Sequence, residues 1–221
     1  MSENIKDLIE IREKQLIPGI DDTWLWPKAD KGAYAGPFTD FESSHQHKYF
    51  KNVKNFNTVI TAGANMGVYV RAYAQKFQNV YAFEPDWLNF YCMSYNCPYN
   101  NVYKFQAALG NAPGQCAMNT RATTNMGAYR VVRESKKDEQ VIPMLTIDQL
   151  HLSSCDLIQL DVEGFEFEVI QGAGNVIKRF RPVIIVENRK QQVEDFILKH
   201  NYQFQEKSVS DHIYFPKWQK D

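Results

Sequence analysis

Val59-Ile60-Thr61-Ala62-Gly63-Ala64-Asn65-Met66-Gly67 decides the reading of this chain, together with Glu84 in Val80-Tyr81-Ala82-Phe83-Glu84-Pro85, seventeen residues beyond Gly67. The pattern is an apolar strand, a glycine turn, a helix, and a second strand that ends in an acid. An open α/β sheet holds a ribose in this way. Glycines permit a tight turn and close backbone approach, and the acid accepts hydrogen bonds from ribose hydroxyls. A G-x-G-x-x-G loop has a middle glycine where the backbone touches a pyrophosphate; this turn has Ala64-Asn65 there.

The spacing therefore points to a cofactor with ribose and adenine but no pyrophosphate, and S-adenosylmethionine meets that description. Besides Glu84, three strand ends bear on the site, because ligands of open α/β sheets bind at the carboxyl ends of strands. The first is the Gly63–Gly67 turn itself, whose helix N-terminus is expected to offer N–H donors to a carboxylate. The others are Asp161-Val162-Glu163-Gly164, after a strand that begins at Asp156, and Glu187-Asn188, after Pro182-Val183-Ile184-Ile185-Val186. That last run is continuously apolar, as a parallel strand buried on both faces requires.

Around these segments strands and helices alternate. The patterning predicts strands near 57–61, 79–84, 102–108 and 156–161, and helices over 66–77, 86–95, 165–178 and 190–199. Two hairpin-like strands near 115–119 and 126–132 precede Val141-Ile142-Pro143 and a short helix around 146–151. A closing antiparallel pair falls near 202–206 and 210–215. This order specifies an α/β fold with one doubly wound, Rossmann-like sheet. Residues 3–16 read as an amphipathic helix with Ser2 as N-cap. From Pro18 to Phe50 the periodicity stops and aromatics accumulate, Trp24 and Trp26 among them. Residues 1–50 are thus expected to form a helix and an irregular aromatic segment, either a lid or flank packing, and residues 51–221 the main domain.

Composition narrows the function classes. With 221 residues, 44% hydrophobic and 23% charged, the chain has the make-up of one ordinary globular domain. Its 25 basic and 26 acidic residues give no overall field to gather nucleic acid or anionic lipid. Four cysteines without a C-x-x-C pair suggest reduced thiols, and no run of about 18 apolar residues is present, so a cytoplasmic protein without a membrane span is expected. His45 and His47 lie two apart, but a metal pair needs further ligands that the sequence does not advertise, and no metal is expected.

The chain resembles the FkbM family of S-adenosylmethionine-dependent methyltransferases, class I fold, over about residues 55–190. The motif D-x-G-A-N-x-G stands here as Thr61-Ala62-Gly63-Ala64-Asn65-Met66-Gly67, and the acid-proline as Glu84-Pro85. Ala107-Ala108-Leu109-Gly110 follows the third strand, Thr146-Ile147-Asp148-Gln149-Leu150 matches T-L-D-x-L, and Asp161-Val162-Glu163-Gly164-Phe165-Glu166 matches D-x-E-G-x-E. The resemblance implies a seven-stranded, mostly parallel sheet with an antiparallel C-terminal strand. It implies O-methyl transfer to a hydroxyl of a sugar, glycan or small metabolite. Cofactor contacts are expected from Thr61, Gly63, Ala64, Asn65, Gly67, Glu84, Gln106, Ala107 and Asp161, with Asp161 and Glu163 as catalytic candidates.

Two positions depart from the family pattern. Thr61 stands where the family has an acid that meets the cofactor's ammonium group; losing a charge-assisted hydrogen bond costs about 1.5–3 kcal/mol. Gln159 stands where the family usually has lysine. These departures motivate one alternative, a non-catalytic member that binds glycan or a partner. Glu163 reads equally as a first-turn acid, Glu166 as a solvent-facing one, and Asn125-Met126-Gly127 as a hairpin turn or substrate loop. A nicotinamide-dependent oxidoreductase is the remaining alternative, opposed by the absent G-x-G.

Overall fold

The computed structural model describes residues 4–13, 23–31, 48–119, 125–132, 140–187, 190–208 and 210–217. A seven-stranded sheet forms the centre. Its strands are β3 (Thr58–Ala62), β4 (Asn79–Phe83), β5 (Val102–Phe105), β10 (Leu157–Leu160), β11 (Val183–Glu187), β12 (Tyr202–Ser208) and β13 (Asp211–Pro216), in the order β12-β13-β11-β10-β3-β4-β5. The five strands from β11 to β5 run parallel, and β13 pairs antiparallel with β11. The expected sheet, with its antiparallel closing strand, is the observed one.

Alternation along β3 sorts its side chains into two cores. Ile60 and Ala62 join a cluster with Phe83, Leu109, Ile158, Leu160 and Phe165 on one face. Val59 packs on the other face with Tyr73, Val80 and Phe77. This period-2 division decides which strand residues can reach a ligand.

Several expected elements differ in detail. The strand foreseen over 102–108 is two: β5 stays in the main sheet, while β6 (Ala108–Leu109) crosses to a second, four-stranded sheet. That sheet also holds β7 (Gly114–Asn119), β8 (Arg130–Val132) and β9 (Val141–Leu145), in the order β6-β9-β7-β8. The helix foreseen over 165–178 breaks into Glu166–Gln171 and Gly174–Phe180. Two contacts explain the break. A Cβ at Gly172 would stand 2.0 Å from the Gly110 carbonyl oxygen, so only glycine lets the two backbones meet. Asp148 then starts the second helix from outside, its carboxylate accepting from the N–H groups of Asn175 (3.0 Å) and Val176 (2.9 Å).

The expected helix over 3–16 is also corrected. Ile5–Leu8 is a single helical turn capped by Asn4, and Ile9–Glu13 is a strand, β1, paired antiparallel with β2 (Thr23–Pro27). Ile5, Leu8 and Ile9 fit a helix by spacing, but Ile9 and Ile11 also alternate, and the partner strand favours the second pattern. Trp24, Leu25 and Trp26 of β2 are buried against Met66, Val68, Ala72 and Cys92, beside the glycine turn. Ser2, His45 and His47 lie outside the described residues. Among the described residues no helix is long and apolar enough to cross a membrane.

Asp148→Ala is expected to remove the outside cap and cost about 1 kcal/mol. Urea unfolding should show a lower midpoint at unchanged slope.

Candidate active site

At the carboxyl ends of β3, β4, β10 and β11 lies a cavity of about 290 Å³. Its walls include Gly63, Asn65, Glu84, Pro85, Asn89, Ala107, Ala108, Met126, Tyr129, Asp161, Glu163 and Glu187. The ends of β3 and β10 meet so closely that a Cβ at Gly63 would lie 1.7 Å from the Asp161 carbonyl oxygen. The Asp161 N–H donates to the Ala62 carbonyl at 3.0 Å, which fixes the two turns side by side. Gly63 adopts φ +78°, a left-handed conformation that glycine takes without steric cost.

The turn consumes its own donors. The N–H groups of Gly63 and Ala64 both donate to the Phe83 carbonyl at 3.0 Å, and that of Gly67 donates to the Ala64 carbonyl. The Asn65 N–H donates to Glu84 at 2.7 Å, and the Met66 N–H to the Asn65 side chain. The expectation of N–H donors open to a carboxylate is therefore corrected: all five groups from Gly63 to Gly67 already have acceptors. What the turn does is clamp β3 to β4 and hold Glu84 at the cavity wall.

Glu84 is almost fully buried and accepts from the backbone N–H of Asn65 on one oxygen and of Asp86 (2.9 Å) on the other. Burial pushes its carboxyl up to about 8, the nearby Asp86 charge adds to this, and the two N–H donors oppose it. Asp86 itself caps the helix Trp87–Asn96 through Leu88 and Asn89.

Opposite, three carboxylates converge. Oxygens of Asp161, Glu163 and Glu187 lie within 4.8 Å of one another. Asp161 and Glu187 stand at neighbouring strand ends, close enough for their charges to act on each other. Burial holds Asp161 well above the ordinary carboxylate range, and Glu187 adds to it. Burial raises Glu163 as well, again with Glu187 contributing. One Glu187 oxygen is inaccessible to solvent and has no hydrogen-bond partner among the described residues. Such a trio can share a proton or bind one hard cation in its place, and the two occupancies compete for the same oxygens.

The other foreseen residues divide clearly. Thr61 is on the far face: its hydroxyl donates to the Gln159 side-chain oxygen at 3.3 Å, and that oxygen also accepts from the Tyr73 hydroxyl at 2.7 Å. The two departures from the family pattern are thus partners across the β3–β10 register, away from the cavity. Ala64 is buried in the far core, and Gly67 packs on Cys97 and Met93. Gln106 is exposed and outside the cavity lining, while Ala107 is within it. Glu166, foreseen at the surface, is fully buried; it accepts from the Gly164 N–H at 2.7 Å and pairs with Lys190 at 2.9 Å. It fastens the turn that presents Glu163. Asn89 and Tyr129 were not foreseen in the cavity wall; they line it together with Asn125 and Met126, where Met126–Ala128 forms a 3₁₀ turn.

A family model described as the methyltransferase FkbM domain matches residues 61–206. The chain belongs to the FkbM methyltransferase family. A solved structure of an FkbM methyltransferase from Methylobacillus flagellatus KT is similar, with a TM-score of 0.53 and 16% identity over 76% of this chain. The match spans 46% of that longer chain. A precorrin-6y C5,15-methyltransferase from Geobacter metallireducens GS-15 aligns with a TM-score of 0.48 and 11% identity, over 83% of this chain and 91% of its own. A putative methyltransferase from Streptococcus mutans, solved with S-adenosylhomocysteine (SAH), aligns with a TM-score of 0.45 and 8% identity, over 78% and 94%. No curated protein matches in sequence.

Because Glu84 binds a proton more tightly folded than unfolded, its contribution to stability is fully present below about 4.5 and is lost as pH rises through about 8. Glu84→Gln is expected to flatten that part of the stability–pH profile, measured by urea unfolding at stepped pH; Asp161 and Glu163 retain their share of the slope.

Proposed function

We propose that the chain is an S-adenosylmethionine-dependent O-methyltransferase acting on a hydroxyl of a sugar, a glycan or a small metabolite. The observation that carries this reading is one cavity with Glu84 on one wall and the clustered carboxylates of Asp161, Glu163 and Glu187 on another. The residues fit the cofactor. Glu84 would accept from the ribose hydroxyls, Ala107 and Ala108 offer a flat apolar surface for adenine, and the carboxylates suit a ligand that carries positive charge. When bound, S-adenosylmethionine supplies a methyl group on a sulfonium.

The chain's own residues have two tasks. The first is to hold the acceptor hydroxyl in line, which is worth up to roughly 7–11 kcal/mol. The second is to receive its proton, and Asp161 suits this, a general base adding about 10²–10⁴-fold. Every charged side chain among the described lining residues is a carboxylate.

The dinucleotide alternative loses support, because the Gly63–Gly67 turn has no uncommitted N–H for a pyrophosphate. The non-catalytic alternative rested on Thr61, whose side chain bonds Gln159 outside the cavity.

Calorimetric titration with S-adenosylmethionine, SAH and NAD tests the cofactor. Binding of the first two and not the third is expected, with Glu84→Ala weakening it at least tenfold; NAD binding, or an unchanged variant, would contradict the assignment. Once labelled cofactor has revealed an acceptor, Asp161→Asn should lower kcat by about 10²–10⁴-fold. The wild-type rate should rise with pH as Asp161 loses its proton, and should persist in chelator if a proton, not a cation, occupies the trio.

A further inference from the structure

We propose that Asp30 is a positioning residue that completes the cavity from outside the family domain, by holding the Met126 wall in place. The geometry is independent of the methyltransferase reading; the identity of the ligand that the wall contacts rests on it. Asp30 is fully buried, 31 residues before the family match begins at residue 61. A carboxylate in that position is retained only if its oxygens are hydrogen-bonded. One oxygen accepts from the indole N–H of Trp26 at 3.0 Å, and the other accepts from the backbone N–H of Met126 at 3.2 Å.

Met126 is gripped on its other side too. Its carbonyl accepts from the Asn89 side chain at 3.4 Å, and the Asn89 N–H is capped by Asp86, two residues after Glu84. The Met126 peptide is therefore suspended between the amino-terminal segment and the helix that follows the ribose-binding acid. Its side chain is buried and lines the cavity, as do Asn125 before it and Tyr129 after it.

The anchor for this strut is rigid. The Leu25 backbone exchanges two hydrogen bonds with the Asn96 side chain (2.7 and 3.0 Å), which also reaches the Met66 carbonyl at 2.9 Å. The Arg71 guanidinium lies 3.9 Å from the Trp24 ring centroid and donates to the Asn96 carbonyl at 2.7 Å. A wall held from such an anchor stays at one distance from the glycine turn, because both are bolted to the same hairpin. The hairpin thus works as part of the binding site, although none of its described residues lines the cavity.

The test compares Asp30→Ala and Asp30→Asn with Asp148→Ala, the loss of a helix-capping acid that does not line the cavity. SAH affinity is measured by calorimetry, and hydrogen exchange at the Met126 amide by mass spectrometry. Asp30→Ala is expected to weaken SAH at least tenfold and to speed exchange around Met126 at least tenfold. Asp30→Asn, which keeps one acceptor oxygen, should recover part of both, and Asp148→Ala should change neither. Affinity and exchange within twofold of wild type in Asp30→Ala would overturn the proposal, as would an equal affinity loss in Asp148→Ala. If Asp30→Ala does not fold, the Asn variant decides by the same criteria. If wild type binds no SAH, the cofactor assignment fails and the exchange measurement still decides the role of Asp30.

Discussion

The contact between Gly63 and the Asp161 carbonyl oxygen governs the site. Two parallel strands end beside each other with no space for even one Cβ between them, so every acid at the sheet's rim has its place set by that approach. Glu84 faces the cavity from the neighbouring strand because the same turn spends its N–H groups on Phe83 and on Glu84 itself. Asp161 faces it from the other side because its own backbone is pinned to Ala62. A larger residue at 63 would push the ends of β3 and β10 apart, and with them Glu84 and Asp161.

Electrostatics follow from this placement. Four carboxylates share one cavity, and burial raises the three whose shifts are resolved: Glu84 with the Asp86 charge adding, Asp161 and Glu163 with Glu187 adding. Such an arrangement is unfavourable in isolation and favourable toward a cationic ligand, which is the sense in which the site is preorganised. Glu166 pairs with Lys190 and accepts from the Gly164 N–H, so the pair holds the turn that presents Glu163 while its charges also act on that acid.

Much of this was legible in the sequence because buried parallel strands leave continuous apolar runs and their ends carry the ligand groups. The strand, turn and acid around Val59–Glu84 needed only local spacing. Asp161 and Glu163 came from a motif, and Glu187 from its place at a strand end, although its pairing with Asp161 needed the sheet order. Thr61 was misplaced because the motif was read as a string, whereas alternation along β3 sends Ile60 and Ala62 to the cavity face and Thr61 to the other. The β1–β2 hairpin was hidden by apolar spacing that fits a helical turn as well as a strand. Asp30 left no signal at all: its partner Met126 is 96 residues away, and neither residue belongs to a motif.

A crystal structure with bound SAH tests the central claim most directly. The account predicts electron density for the ribose within hydrogen-bonding distance of both Glu84 oxygens, with the sulfur end toward Asp161 and Glu187 and the adenine against Ala107. A ligand bound elsewhere, or in this cavity with its ribose away from Glu84, would contradict it.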